Sequence, residues 1–216
     1  YLSKDVNRLL IDENDTYTKA LELVKTLAPS LKNRVQLYNG AAPLFEVFNV
    51  ESQVEKALRR KVWLECGAYL VFDQTEALTV IDVNTGKFTG TTCLEDTIFQ
   101  TNLMAAGEIA RQIRLRNLAG IIIIDFIDMS SDDERNQVIA RLEEEFARDK
   151  VKVNILGFTS LGLLELTRKK VRQSLREILQ VECEACDGTG YVNSLDNLSK
   201  KAARSIQLLA KNTPGE

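Results

Sequence analysis

Histidine is absent from all 216 residues. That excludes a Ser–His or Cys–His nucleophile pair within the chain, and it excludes any imidazole metal ligand. A hydrolytic site must therefore be built from carboxylates, amides, cations or a metal. Long apolar runs are missing too. The most apolar, Ile121 to Ile124, has the length of a core strand and is too short to cross a bilayer. No basic start leads into an apolar stretch, so no secretory signal is expected and a cytoplasmic location is. Internal repeats and low-complexity tracts are lacking as well. The chain begins at Tyr1 rather than Met, as a fragment of a longer protein would.

What is present has the balance of a soluble globular chain, 44% hydrophobic and 27% charged. The formal net charge of -3 argues weakly against a nucleic-acid partner, because phosphate affinity depends on where the cations lie. They are clustered. Arg168, Lys169, Lys170, Arg172 and Arg176 share one stretch, Arg59, Arg60 and Lys61 a second, and Arg111, Arg114 and Arg116 a third. Acids collect at Asp132–Glu134 and Glu143–Glu145. Each basic cluster reads equally as a phosphate contact or a solvated helix face.

Hydrophobic periodicity predicts an N-terminal helix over 17–27, a strand over 34–38 and a helix over 51–60. Strands follow at 61–64 and 69–72 around a Cys66–Gly67 turn, and at 77–82. A long helix is expected over 94–116, a buried strand over 120–125, and a helix from Ser131, where Ser131 and Glu134 have capping-box spacing. Two more strands are expected at 151–156 and 163–167, and the lysine-rich segment from Asn193 reads as the start of a helix or extension. The alternation indicates an α/β fold. The unbroken Ile121–Ile124 run is the pattern of a strand with helices on both sheet faces.

Asp82 and Asp125 each close an apolar strand, and a helix joins those strands. A parallel crossover would set both acids at strand carboxyl ends, where α/β sheets bind ligands. Adjacent strands lie about 4.8 Å apart, so the two carboxylates can share one divalent cation; without it they repel, and one tends to take a proton. Asn84 is two residues beyond Asp82 and on the same face if the strand continues, where its amide can meet a phosphate oxygen. The plainer alternative is that these strand-end residues only form turns.

Of the four cysteines, Cys66 and Cys93 stand alone and read as ordinary thiols. Cys183 and Cys186 belong to Cys183-Glu184-Ala185-Cys186-Asp187-Gly188-Thr189-Gly190, with glycines that allow the positive φ angles of a tight knuckle. The spacing suits zinc, which takes four ligands in a structural site. With two supplied here, the simplest completion is the same knuckle from a second chain. A redox dithiol is the alternative, although such a pair normally opens a helix after a strand. A comparable repeat occurs four times over in the cysteine-rich region of the DnaJ chaperones, and one copy cannot build that domain.

Together these segments resemble the bacterial ribonuclease E/G family. The resemblance rests on Thr75-Glu76-Ala77-Leu78-Thr79-Val80-Ile81-Asp82-Val83-Asn84, Thr101-Asn102-Leu103, Glu108-Ile109-Ala110-Arg111-Gln112 with Arg114-Leu115-Arg116, Ile124-Asp125-Phe126-Ile127-Asp128-Met129, Gly162 to Arg168, and the knuckle. It runs in the family's order from about Tyr38 to Val192. It implies a deoxyribonuclease I-like catalytic domain over 58–180, part of a ribonuclease H-like subdomain over 1–57, a zinc-link knuckle over 181–192, and the start of a C-terminal extension or small domain over 193–216. It implies a magnesium-dependent endoribonuclease that hydrolyses single-stranded RNA to 5′-phosphate and 3′-hydroxyl ends in RNA processing and decay. Asp82 and Asp125 would hold Mg2+, Asn84 would contact the scissile phosphate, and Cys183 and Cys186 would share Zn2+ between two protomers of a homodimer. Lys87, Arg168, Lys169 and Lys170 are the expected RNA contacts. The oligonucleotide-binding barrel and 5′-monophosphate sensor that usually precede this region have no matching motif, and Glu65-Cys66-Gly67-Ala68 replaces the more usual Ser-Gly-Gly turn. A non-catalytic RNA-binding or zinc-linked assembly module is the alternative.

Overall fold

The computed structural model describes residues 6–86 and 94–212. Residues up to Arg172 form one unit and those from Gln173 onward a second.

The first unit opens with β1 (Leu9–Ile11), α1 (Asn14–Leu27), a 3-10 turn (Pro29–Arg34) and β2 (Val35–Leu37). β1 and β2 pair in parallel, and Val24, Leu31 and Val35 make a small core of their own. The short α2 (Leu44–Val47) and α3 (Val50–Leu58) follow.

The rest of this unit is a six-stranded mixed sheet. Its strands are β3 (Lys61–Trp63), β4 (Tyr69–Gln74), β5 (Leu78–Asn84), β6 (Gly120–Asp125), β7 (Val153–Phe158) and β8 (Leu163–Arg168), in the order β3-β4-β5-β6-β8-β7. β5 and β6 are parallel and joined through α4 (Leu94–Arg116); the other neighbouring pairs are antiparallel. α5 (Asp132–Phe146) links β6 to β7.

Burial explains the sheet's polarity. Ala105, Ala106, Ile109, Ala110 and Ile113 of α4 are fully buried, spaced as one helical stripe, and the alanines let the helix approach closely. They share a core with Val138 and Leu142 of α5 and with Leu70, Ile81, Ile122, Ile124, Leu164 and Leu166 of the strands. Each fully buried isoleucine or leucine there contributes roughly 1.5–3 kcal/mol. Helices on both faces of the sheet were expected from the isoleucine run; instead α4 and α5 pack into this one core, and Ile121, pointing the other way, is 49% exposed. The reason is the mixed sheet. Antiparallel β4 and β8 flank the parallel pair and connect through hairpins, so no crossover helix is required on the second face.

Ser131 caps α5 by accepting the N–H of Asp133, one residue earlier than a capping box uses. The reciprocal box forms in the second unit. Ser174 accepts the Glu177 N–H and Glu177 accepts the Ser174 N–H at the start of α6 (Leu175–Leu179). The second unit ends in α7 (Leu195–Asn212), the helix expected beyond Asn193. No helix among the described residues is long and apolar enough to cross a membrane.

Candidate active site

Asp82 and Asp125 lie directly opposite each other on the parallel strands β5 and β6. Their sequence neighbours Ile81, Val83 and Ile124 are buried against the helices, so alternation sends both carboxylates to the open face. β5 continues through Asn84, which therefore shares that face, and its Nδ2 donates to Asp82 Oδ2 at 2.7 Å. The amide thus orients the carboxylate. After the strand, Gly86 has φ +63° and packs against the carbonyl oxygen of Gly67 in the β3–β4 turn, where a Cβ would collide. Both the backbone conformation and the close approach require glycine there.

Burial pushes the Asp125 carboxyl above its ordinary range, and the negative charges of Asp82 and then Asp128 push it further. Asp128 belongs to the segment quoted for the family resemblance but received no role from the sequence. Its offset of three residues beyond a strand-end aspartate was the available signal. What brings it near is Asn102 of α4. That side chain is fully buried; its Nδ2 donates to the Ile127 carbonyl at 2.8 Å and its Oδ1 accepts the Ile127 N–H at 3.1 Å. Asn102 is a positioning residue that pins the loop between Asp125 and Asp128. Among the described residues, no three or more Cys, Asp or Glu side chains are grouped to hold a metal. The donor set here is a carboxylate pair with a third acid near by, which fits a hard cation that keeps part of its water shell.

The cysteine knuckle lies in the second unit. Gly188 and Gly190 both have φ +77°, and the Gly190 N–H donates to Cys186 Sγ at 3.3 Å. That N–H, with further help from Cys183, the Gly188 N–H and Thr189, lowers the Cys186 thiol pKa despite the opposing effect of burial. A thiol already eased toward thiolate suits a metal ligand.

The basic stretches divide. Lys169 and Lys170 are exposed. Arg168 is not available to RNA as expected. It is 4% exposed; its Nε donates to Asp149 at 2.8 Å, and its Nη1 donates to Asn117 Oδ1 and the Leu118 carbonyl, each at 2.9 Å. Its position on β8 has the inward parity of Leu164 and Leu166, so the guanidinium ties α4's end to the α5–β7 loop. Arg116 is also buried, over the Phe72 ring, and desolvation lowers its pKa to about 10. Arg111 pairs with Glu108 on its own helix. Lys87, the remaining expected RNA contact, lies outside the described residues.

Residues 1–171 match the ribonuclease E/G family. The chain is 44% identical over 206 residues to ribonuclease G of Escherichia coli K12, covering 95% of this chain and 42% of that protein. It is 42% identical to ribonuclease G of Haemophilus influenzae, again over 95% of this chain and 42% of the relative, and 40% identical to ribonuclease E of Escherichia coli K12 over 96% of this chain and 20% of the relative. It therefore spans less than half the length of these curated relatives. With the family pattern extending across the whole sheet, both strand-end aspartates and the core beneath them, the chain belongs to the ribonuclease E/G family.

Proposed function

We propose that this chain carries the hydrolytic centre of a magnesium-dependent endoribonuclease acting on single-stranded RNA in cytoplasmic RNA processing and decay, leaving 5′-phosphate and 3′-hydroxyl ends. The observation that carries the reading is the Asp82–Asp125 register on the open sheet face, with Asn84 bonded to Asp82. The names of the relatives, ribonuclease G and ribonuclease E, support the substrate class. In the finer fold reading, the six-stranded unit is the deoxyribonuclease I-like domain and residues 1–57 are part of a ribonuclease H-like subdomain.

Asp82 and Asp125 would hold the cation. When bound, Mg2+ neutralises charge developing on a phosphodiester and acidifies water in its shell. Asn84 holds Asp82 in one orientation and has a second amide hydrogen to offer a phosphate oxygen. Asn102 keeps Asp128 close, adding negative charge that strengthens the cation's hold on the site. This division of labour needs no imidazole, in keeping with a chain that has none. Lys169 and Lys170 are proposed as backbone contacts, with Lys87 beside the cation.

Incubation of the chain with a short single-stranded RNA tests the reading. Cleavage is expected with magnesium and should stop on chelation, with products bearing 5′ phosphates. Binding without any turnover would instead support a non-catalytic RNA-binding module.

For the knuckle, we propose a zinc shared by Cys183 and Cys186 of two chains, linking a homodimer. Two thiolates supply half of a tetrahedral site, and a two-fold axis supplies the other half with one self-complementary patch. Elemental analysis with light scattering should find one zinc for two chains, and changing both cysteines to serine should shift the population toward monomer. One zinc per monomeric chain would refute the shared site.

A further inference from the structure

The edge of the sheet beyond the carboxylates carries an aromatic pair that the hydrolytic chemistry does not use. Across the strands, Trp63 lies opposite Tyr69, and Tyr69 opposite Asn84. In the next row, Lys61 lies opposite Val71, Val71 opposite Asp82, and Asp82 opposite Asp125. Register partners project to the same face, so both rings emerge beside Asn84 on the face that carries the carboxylates. Trp63 stands two strands from Asn84, about 10 Å at a spacing of about 4.8 Å per strand.

The two ring centroids are 5.1 Å apart and tilted by 57°. The Lys61 ammonium sits 3.3 Å from the Tyr69 centroid and 4.2 Å from that of Trp63. Lys61 holds the rings by cation–π attraction and adds positive charge next to them. Trp63 nevertheless remains 60% exposed. A large indole fixed in place yet mostly in water is an anchor without a partner. A ring pair with an interleaved cation is the chemistry that grips single-stranded nucleic acid, through sequence-tolerant stacking of a base and attraction of its flanking phosphate.

We propose that Trp63 and Tyr69, held by Lys61, form a stacking platform for one nucleobase of a single-stranded RNA whose scissile phosphate lies at Asp82, Asn84 and Asp125. The proposal rests on the hydrolase reading above and adds a base-binding subsite to it. It also gives this chain a means of gripping a single strand from its own catalytic sheet.

Trp63 is the single tryptophan of the sequence, so intrinsic fluorescence reports the platform directly. The chain carrying Asp82→Asn is titrated with a short oligoribonucleotide in chelator, and with an abasic ribose-phosphate oligomer of equal length. Saturable quenching is expected with the RNA and little with the abasic oligomer. In the chain with its aspartates intact, Trp63→Ala should raise KM between about 5-fold and 150-fold, the range for loss of one stacked base, with kcat changed far less. Trp63→Phe should restore most of the loss. Equal quenching by both oligomers, or an unchanged KM in a folded Trp63→Ala variant, would overturn the platform. The two readings fail separately. Chelator-sensitive cleavage that Trp63→Ala leaves untouched removes the platform alone, whereas base-dependent quenching in a chain that never cleaves keeps the platform and removes the hydrolase.

Discussion

Replacing Asp82 or Asp125 by Asn is expected to abolish magnesium-dependent RNA cleavage, by a factor of at least about 100, while the chain stays folded. The two carboxylates face each other in register on the open side of the sheet, and neither contributes to the core beneath it. Asparagine keeps the shape and removes the charge that a cation needs. The pH behaviour supplies a second readout. Burial and the neighbouring charges of Asp82 and Asp128 raise the Asp125 pKa, so without a cation the folded state holds this proton more tightly than the unfolded state does. Such a group favours folding at pH below its ordinary carboxylate value, and that contribution is lost as pH rises through the raised folded value. At neutral pH it therefore works against folding when no cation is bound, and Asp125→Asn should be no less stable than the parent under chelation. Protons also compete with the cation, so the magnesium requirement should climb as pH falls toward the raised carboxyl. Initial rates, magnesium titrations and thermal melts measure all three. Full activity in either variant would refute the assignment.

Arg168→Ala is expected to cost about 3–5 kcal/mol of folding stability, the usual penalty for stripping one partner from a buried ion pair. The side chains of Arg168 and Asp149 are 3% and 6% exposed. The Nη1 hydrogens go to Asn117 Oδ1 and the Leu118 carbonyl, so alanine would strip a carboxylate of its cation and leave two further acceptors without their donor. Lysine cannot reproduce that fork, and Arg168→Lys should also destabilise. Burial alone would raise the Asp149 carboxyl. The hydrogen bond from Arg168 and the Val151 N–H, with the charges of Arg168 and Arg114, outweigh it and hold the pKa below the ordinary range. The stability contributed this way is present above the ordinary carboxylate value and is lost as pH falls through the depressed one. Replacing Lys169 and Lys170 by alanine provides the contrast. Stability should move by no more than about 0.5 kcal/mol, while the salt dependence of RNA binding should flatten by roughly 0.7 per lost phosphate contact. Chemical denaturation and salt-dependent binding separate the two cases. An Arg168→Ala chain as stable as its parent would show that the buried network contributes nothing.

Much of this protein is legible before any coordinates. The bounds of α4 and β6 follow from apolar spacing, because each is long or apolar enough for its period to dominate. The absence of histidine restricts the chemistry to acids, amides, cations and metals, and two strand-end aspartates joined through a helix mark the site proposed for it. The Cys183–Gly190 spacing likewise marks a tight turn, in which Gly188 and Gly190 take the positive φ expected of them. These features are local, or repeat along a single element, so one chain read in order contains them.

What only the tertiary structure decided concerns partners distant in sequence. A run such as Ile121–Ile124 looks equally apolar whether one face of a sheet is covered or two, and only the antiparallel neighbours β4 and β8 settle which. Arg168 beside Lys169 and Lys170 looks like one basic patch, but side chains alternate across a strand, and Asp149 and Asn117 wait on the inner side. Asn102 reads as one polar residue in a helix until Ile127, 25 positions away, presents both backbone groups to it. Trp63 shares a face with Asp125 through a register spanning four strands. The sequence determined which elements form and which residue types can react, since those are set by local periodicity and side-chain chemistry. Strand register and burial decided which of those residues meet, because both depend on contacts that exist only after the sheet has closed over its core.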